Sequence, residues 1–157
     1  MRRTGLGILL ALFTAPGSAS ATWFLEGSFG IPWQTSPVVV RQQLNLMGTP
    51  GYGLFDDVLR LELGLVANLA DLENSKFNVG LRPMVAVHPP VVPIYGKVIF
   101  DWNDIGNTST TTLGGALGLS LGLGPASFLL EGDYLPRSVN NTNLNVLEAR
   151  AGLSFAL

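Results

Sequence analysis

Apolar and polar positions alternate along most of the chain beyond residue 21, with the period of two that belongs to a β-strand. The clearest run sets Leu59, Leu61, Leu63, Leu65, Ala67 and Leu69 against Arg60, Glu62, Gly64, Val66 and Asn68. The chain also ends inside such a run, with Leu147, Ala149, Ala151, Leu153, Phe155 and Leu157 on one parity and Glu148, Arg150, Gly152, Ser154 and Ala156 on the other. Eight segments follow this rule. The first opposes Trp23, Leu25, Gly27, Phe29 and Ile31 to Phe24, Glu26, Ser28 and Gly30. The second is expected between Val38 and Met47, with Arg41, Gln43 and Asn45 on its polar parity and Gln42 out of phase. The fourth spans 77–87 and carries Arg82 on its polar parity and Pro83 on its apolar one; the fifth spans 92–102 and carries Lys97 and Asp101. The sixth, 113–123, opposes leucines to glycine, alanine and serine, and the seventh, 126–134, carries Glu131 and Asp133. Gly-, Pro- and Asn-rich stretches predict turns around Gly51, Pro89 and Gly124 at one end, and near Gln34, Asp71, Asn107 and Asn140 at the other.

Two architectures accept eight such strands. A soluble sandwich packs the apolar parity inward, whereas a membrane barrel turns it to lipid and lines its lumen with the polar one. The polar parity decides between them. It mixes charges with Gly30, Gly64, Gly80, Gly114, Gly118, Gly122 and Gly152, a bulk pattern with no purpose on a water-facing surface. Glycine weakens strands, but a narrow lumen needs small side chains beside large ones. The expected fold is therefore all-β: a closed antiparallel up-and-down transmembrane β-barrel of about eight strands. Closure also explains a chain that ends on a strand, because the last strand pairs with the first and no edge is left. A helix over the uncharged run Leu113 to Leu130 is disfavoured by its glycines and by Pro125.

The chain's beginning adds an export route. Arg2 and Arg3 precede an apolar core from Leu6 to Ala15, and Ala19-Ser20-Ala21 closes it in an A-x-A pattern, which reads as a signal peptide cleaved before Thr22. The expected organisation is residues 1–21 as signal peptide and 22–157 as one barrel domain in a bacterial outer membrane. Removing Arg2 and Arg3 leaves 9 − 2 = 7 basic against 11 acidic residues, a net charge of −4, which argues against nucleic acid as a partner. No cysteine is present, which removes thiol chemistry and thiolate metal sites.

Export signal, alternating segments, and aromatic residues near both rims together resemble the small outer-membrane barrels of the OmpA transmembrane domain and OmpX type. The rim aromatics are Trp23, Phe128 and Phe155 nearer the termini, and Trp33, Phe77, Trp102 and Tyr134 at the opposite end. The resemblance implies outer-membrane lipid and the barrel-insertion machinery as partners, the latter reading the last strand, and a monomer. Such barrels usually end in an aromatic residue; here Leu157 is last and Phe155 lies two places earlier.

Candidate chemistry lies on the inward parity. It carries Glu26, Glu62, Asp101, Glu131, Asp133 and Glu148 with Arg41, Arg60, Arg82, Lys97 and Arg150, six acids against five bases. A selective pore favours a ring of one sign, whereas balanced charges in a narrow lumen pair and close it. Lipid-modifying barrel enzymes need a histidine beside a serine or at the outer leaflet; the single histidine, His88, falls in a turn at the other end. No catalytic, cofactor or metal site is expected. The expected role is structural or surface-related, with passage of small or hydrophobic solutes as the alternative, ahead of a lipid-modifying enzyme or a soluble sandwich.

Overall fold

A computed structural model describes residues 22–69, 79–105, 110–139 and 142–157. Its strands are β1 (Thr22–Ser36), β2 (Val40–Arg41), β3 (Asn45–Leu54), β4 (Leu59–Asn68), β5 (Val79–Val87), β6 (Ile94–Ile105), β7 (Thr110–Leu123), β8 (Ala126–Val139) and β9 (Thr142–Ala156). β2 is a two-residue annex on β1, pairing Trp33 with Arg41 and Gln34 with Val40. The other eight strands are antiparallel neighbours in chain order, and β1 also pairs with β9, so the sheet closes. The chain is a closed eight-stranded barrel.

The registers fix its shape. Stepping between opposite residues leads from Trp23 to Tyr52, Leu61, Val85, Val98, Gly115, Tyr134 and Leu147, and returns to β1 at Trp33. One circuit therefore climbs 33 − 23 = 10 residues. With about 3.3 Å per residue and 4.8 Å between strands, that stagger tilts the strands by roughly 40° and gives a backbone radius of about 8 Å. Such a tube is narrow enough for side chains to meet across it.

Burial follows the alternation inside out. Leu25, Phe29, Leu61, Leu63, Leu65, Val98, Phe100, Leu117, Leu119 and Leu121 are exposed on the outer wall, while Glu26, Glu62, Arg82, Lys97, Asp101, Glu131, Asp133, Glu148 and Arg150 are buried within. Glycines obey the same division. A methyl added at the outward Gly27 or Gly48 meets open space, whereas one at Gly51 would enter the Phe24 ring and one at Gly118 the Tyr95 ring. Both aromatics lie directly opposite their glycine across a strand pair, so the missing side chain is what lets the ring lie flat.

One strand expectation is corrected. The second long strand runs from Asn45 to Leu54, not from Val38 to Met47, and no turn forms at Gly51. Gly48 to Gly53 looks like punctuation, but Gly51 accommodates Phe24, and the proline is tolerated where the β3–β4 ladder skips from Gly48–Leu65 to Gly51–Glu62. The chain instead reverses at Phe55, Asp56 and Asp57, all with φ between 54° and 68°. Gly124, at φ 73°, turns β7 into β8, which splits the apolar run Leu113–Leu130 into two strands rather than a helix.

Candidate functional site

Among the described residues, most ion pairs lie inside the tube, in two clusters at different heights. The cluster nearer the termini centres on Lys97 of β6. Its Nζ lies 2.9 Å from Glu62 of β4, 3.0 Å from Glu131 of β8 and 3.9 Å from Glu26 of β1. β6 and β1 are separated by three strands either way round, so this lysine reaches the diametrically opposite wall. One cation thus faces three carboxylates.

The cluster toward the other end centres on Arg82 of β5. Its Nε donates to Asp101 at 2.6 Å and its Nη2 to Glu148 at 3.0 Å, and Nη1 lies 3.5 Å from Asp133. β5 and β9 are again opposite walls, so Arg82–Glu148 spans the lumen. Arg150 continues the network, bonding Glu148 and, at 3.0 Å, Asn45, with Asp133 3.6 Å away. Arg137 Nη2 donates to the second oxygen of Asp101 at 2.8 Å. Each of the three carboxylates therefore lies between two guanidiniums, and three acids balance three arginines. Interleaved with them is an apolar cluster of Met47, Val66, Met84, Ile99, Ala116, Leu135 and Val146, all on the inward parity.

The end nearer the termini carries a third group. Arg60 pairs with Asp57 at 2.8 Å and lies 4.6 Å above the Phe24 ring. His88 stacks on Tyr95 with centroids 4.6 Å apart and planes 9° from parallel. Burial, reinforced by the positive charges of Arg60 and Lys97, lowers the His88 pKa to about 4, so its imidazole is neutral.

Of the charges read from sequence, ten line the lumen as described. Arg41 differs: it is exposed on β2 at the mouth away from the termini and joins no ion pair among the described residues. Two partners escaped the sequence reading, Arg137 and Asp57. Arg137 continues the parity of Glu131, Asp133 and Leu135, but Pro136 ends the visible pattern before it.

The rim aromatics fall in two rings. Trp23 and Phe155 are exposed and Phe128 half-buried near the termini, where Tyr52 joins Trp23 at 4.9 Å; Trp102 and Tyr134 are exposed and Trp33 half-buried at the other end. Phe77 lies outside the described residues. Ten residues separate Trp23 from Trp33 on β1. At the tilt given above this is about 25 Å along the axis, the height of the apolar band of an outer-membrane barrel.

Apolar wall, charged lumen, closure without an edge and spaced aromatic rings define a small transmembrane β-barrel. No protein-family model and no curated protein sequence matches the chain. The fold is similar to the crystal structure of Neisserial surface protein A (NspA), with a TM-score of 0.58 and 14% identity over 87% of this chain and 98% of that one. A major outer membrane protein from Thermus thermophilus aligns with a TM-score of 0.43 and 15% identity over 88% of this chain and 100% of that one.

Proposed function

We propose that this protein is a non-enzymatic structural barrel of a bacterial outer membrane, with a lumen closed to ions. Residues 1–21 act as a cleaved signal peptide, both ends of the mature chain face the periplasm, and a monomer is inserted by machinery that reads β9. The mouth at Arg41 then faces the cell exterior. One observation carries the closed lumen: Lys97 and Arg82 each reach carboxylates on the diametrically opposite wall. Two cross-lumen struts, with buried apolar side chains on the same inward parity, support a lumen without a continuous water column. The similarity to a Neisserial surface protein agrees with an outer-membrane location.

Planar-bilayer recording of the refolded protein tests the proposal. The expected result is a flat current trace from preparations whose folding is verified by faster gel migration before boiling. Reproducible unitary steps would replace it with the passage-channel reading.

A further inference from the structure

We infer that the mouth away from the termini holds a binding chamber for a small hydroxylated monoanion, of the size and chemistry of a single sugar acid. A cavity of about 340 Å³ opens there, within the size range of small-molecule sites. It has room for about eleven waters at their liquid volume of roughly 30 Å³ each. Its floor is the Arg82–Glu148 strut, and Arg41, Gln42 and Gln43 line it at the rim. Charge selects the ligand's sign. The floor network is neutral, three arginines to three carboxylates, so Arg41 leaves the chamber with one uncompensated positive charge among the described residues. Arg137, also in the wall, commits Nη2 to Asp101 while its Nε is buried without a hydrogen-bond partner. The positive charge of Arg41, unpaired among the described residues, and the Arg137 guanidinium in the same wall call for a carboxylate. The rest of the wall, with Asn103, Gln42 and Gln43, offers carboxamides that both donate and accept, which suits hydroxyl groups.

The chamber is blind only if the lumen is closed, so binding and conductance are read on the same preparation. Equilibrium dialysis of the folded protein in detergent against labelled glucuronate is the direct measurement. One saturable site is expected, with glucose binding at least tenfold more weakly. Arg137→Gln and Arg41→Gln should each weaken glucuronate at least fivefold. Arg41 has no ion pair to lose among the described residues and is exposed, so its variant tests the site without threatening the fold. Arg60→Gln, at the opposite end, should leave binding unchanged. A sugar acid also occurs on lipid headgroups: displacement of glucuronate by lipopolysaccharide micelles assigns a lipid-borne ligand, and its absence assigns a free solute. No saturable binding to folded protein, equal binding of glucose, or indifference to both arginine variants overturns the chamber. Unitary currents with intact, Arg41-dependent binding would overturn the closed lumen alone.

Discussion

Lys97 holds three acids together, and that imbalance makes it the residue whose loss costs most. Replacing it with methionine strands Glu26, Glu62 and Glu131 in the lumen, and removing one side of a buried ion pair costs about 3–5 kcal/mol. The expected outcome is a lower urea midpoint for Lys97→Met in lipid vesicles. Adding Glu26→Gln, Glu62→Gln and Glu131→Gln should restore most of the loss, because the penalty comes from unmatched charge rather than missing bulk. Glycine gives a second matched comparison. Gly118→Val drives a side chain into Tyr95 and should cost about 1–3 kcal/mol, whereas Gly27→Ala faces open space and should change stability by less than about 0.5 kcal/mol. His88 adds a pH dependence. Its pKa falls from the ordinary 6.5 to about 4 on folding, so the unfolded chain binds the proton first as pH drops. Stability present above pH 6.5 should decline between 6.5 and 4 and then level off. Urea midpoints across that range should show this drop in the wild type and a smaller one in His88→Gln.

Strands turn these residue preferences into a wall with two faces, and the face facing outward has its own depth profile. Leu117 of β7 is 71% exposed at mid-height, and Leu123, at the strand's end beside the turn, is 64% exposed. Exposure to water alone would make the two equivalent. In a bilayer they are not: arginine at the midplane costs about 2–4 kcal/mol and near the interface about 0–1. Leu117→Arg should therefore lower the urea midpoint well below that of Leu123→Arg; equal effects would remove the membrane from the account. This two-faced wall is also what sequence reveals best. The alternation is clear in β4, in β7 from Leu117 and in β9 from Leu147, and its parity alone places Glu62, Arg150 and Glu148 inside. The pattern fails where the chain breaks its own rule for a packing reason. Gly48 to Gly53 imitates a turn because Phe24 needs the space over Gly51, and Pro136 hides the continuation of β8 to Arg137. Pairing was illegible for a different cause. Lys97 meets acids from β1, β4 and β8, and which residues share a height depends on the stagger, which no single strand encodes. Met84, Ile99 and Val146 lie on the charged parity, and only closure brings them together in one buried cluster inside the barrel.

At the scale of the whole barrel, one circuit's climb of ten residues sets tilt, radius and height together. The radius lets single side chains bridge the lumen, and the tilt brings Trp23 and Trp33 to the two edges of one apolar band. Charge among the described residues is then graded along the axis: one lysine against three acids nearer the termini, balance at Arg82, and an unmatched Arg41 at the far mouth. The height is the most constrained of these quantities, because strand rise and tilt leave no freedom to stretch it. Tryptophans prefer the headgroup region, so a bilayer core thicker than about 25 Å must thin locally or draw the aromatic rings into hydrocarbon. Each ångström of mismatch costs a fraction of a kcal/mol, which over about 5 Å becomes a measurable change. Urea midpoints should therefore be highest in phosphatidylcholine vesicles whose hydrocarbon core is near 25 Å and fall as lengthening chains bring it to about 30 Å. Tryptophan emission should shift to the blue over the same series as Trp23 and Trp33 leave the interface. A midpoint that rose with thickness would mean that the two rings do not mark the membrane's edges, and that the stagger read from the strand pairing does not set the barrel's height.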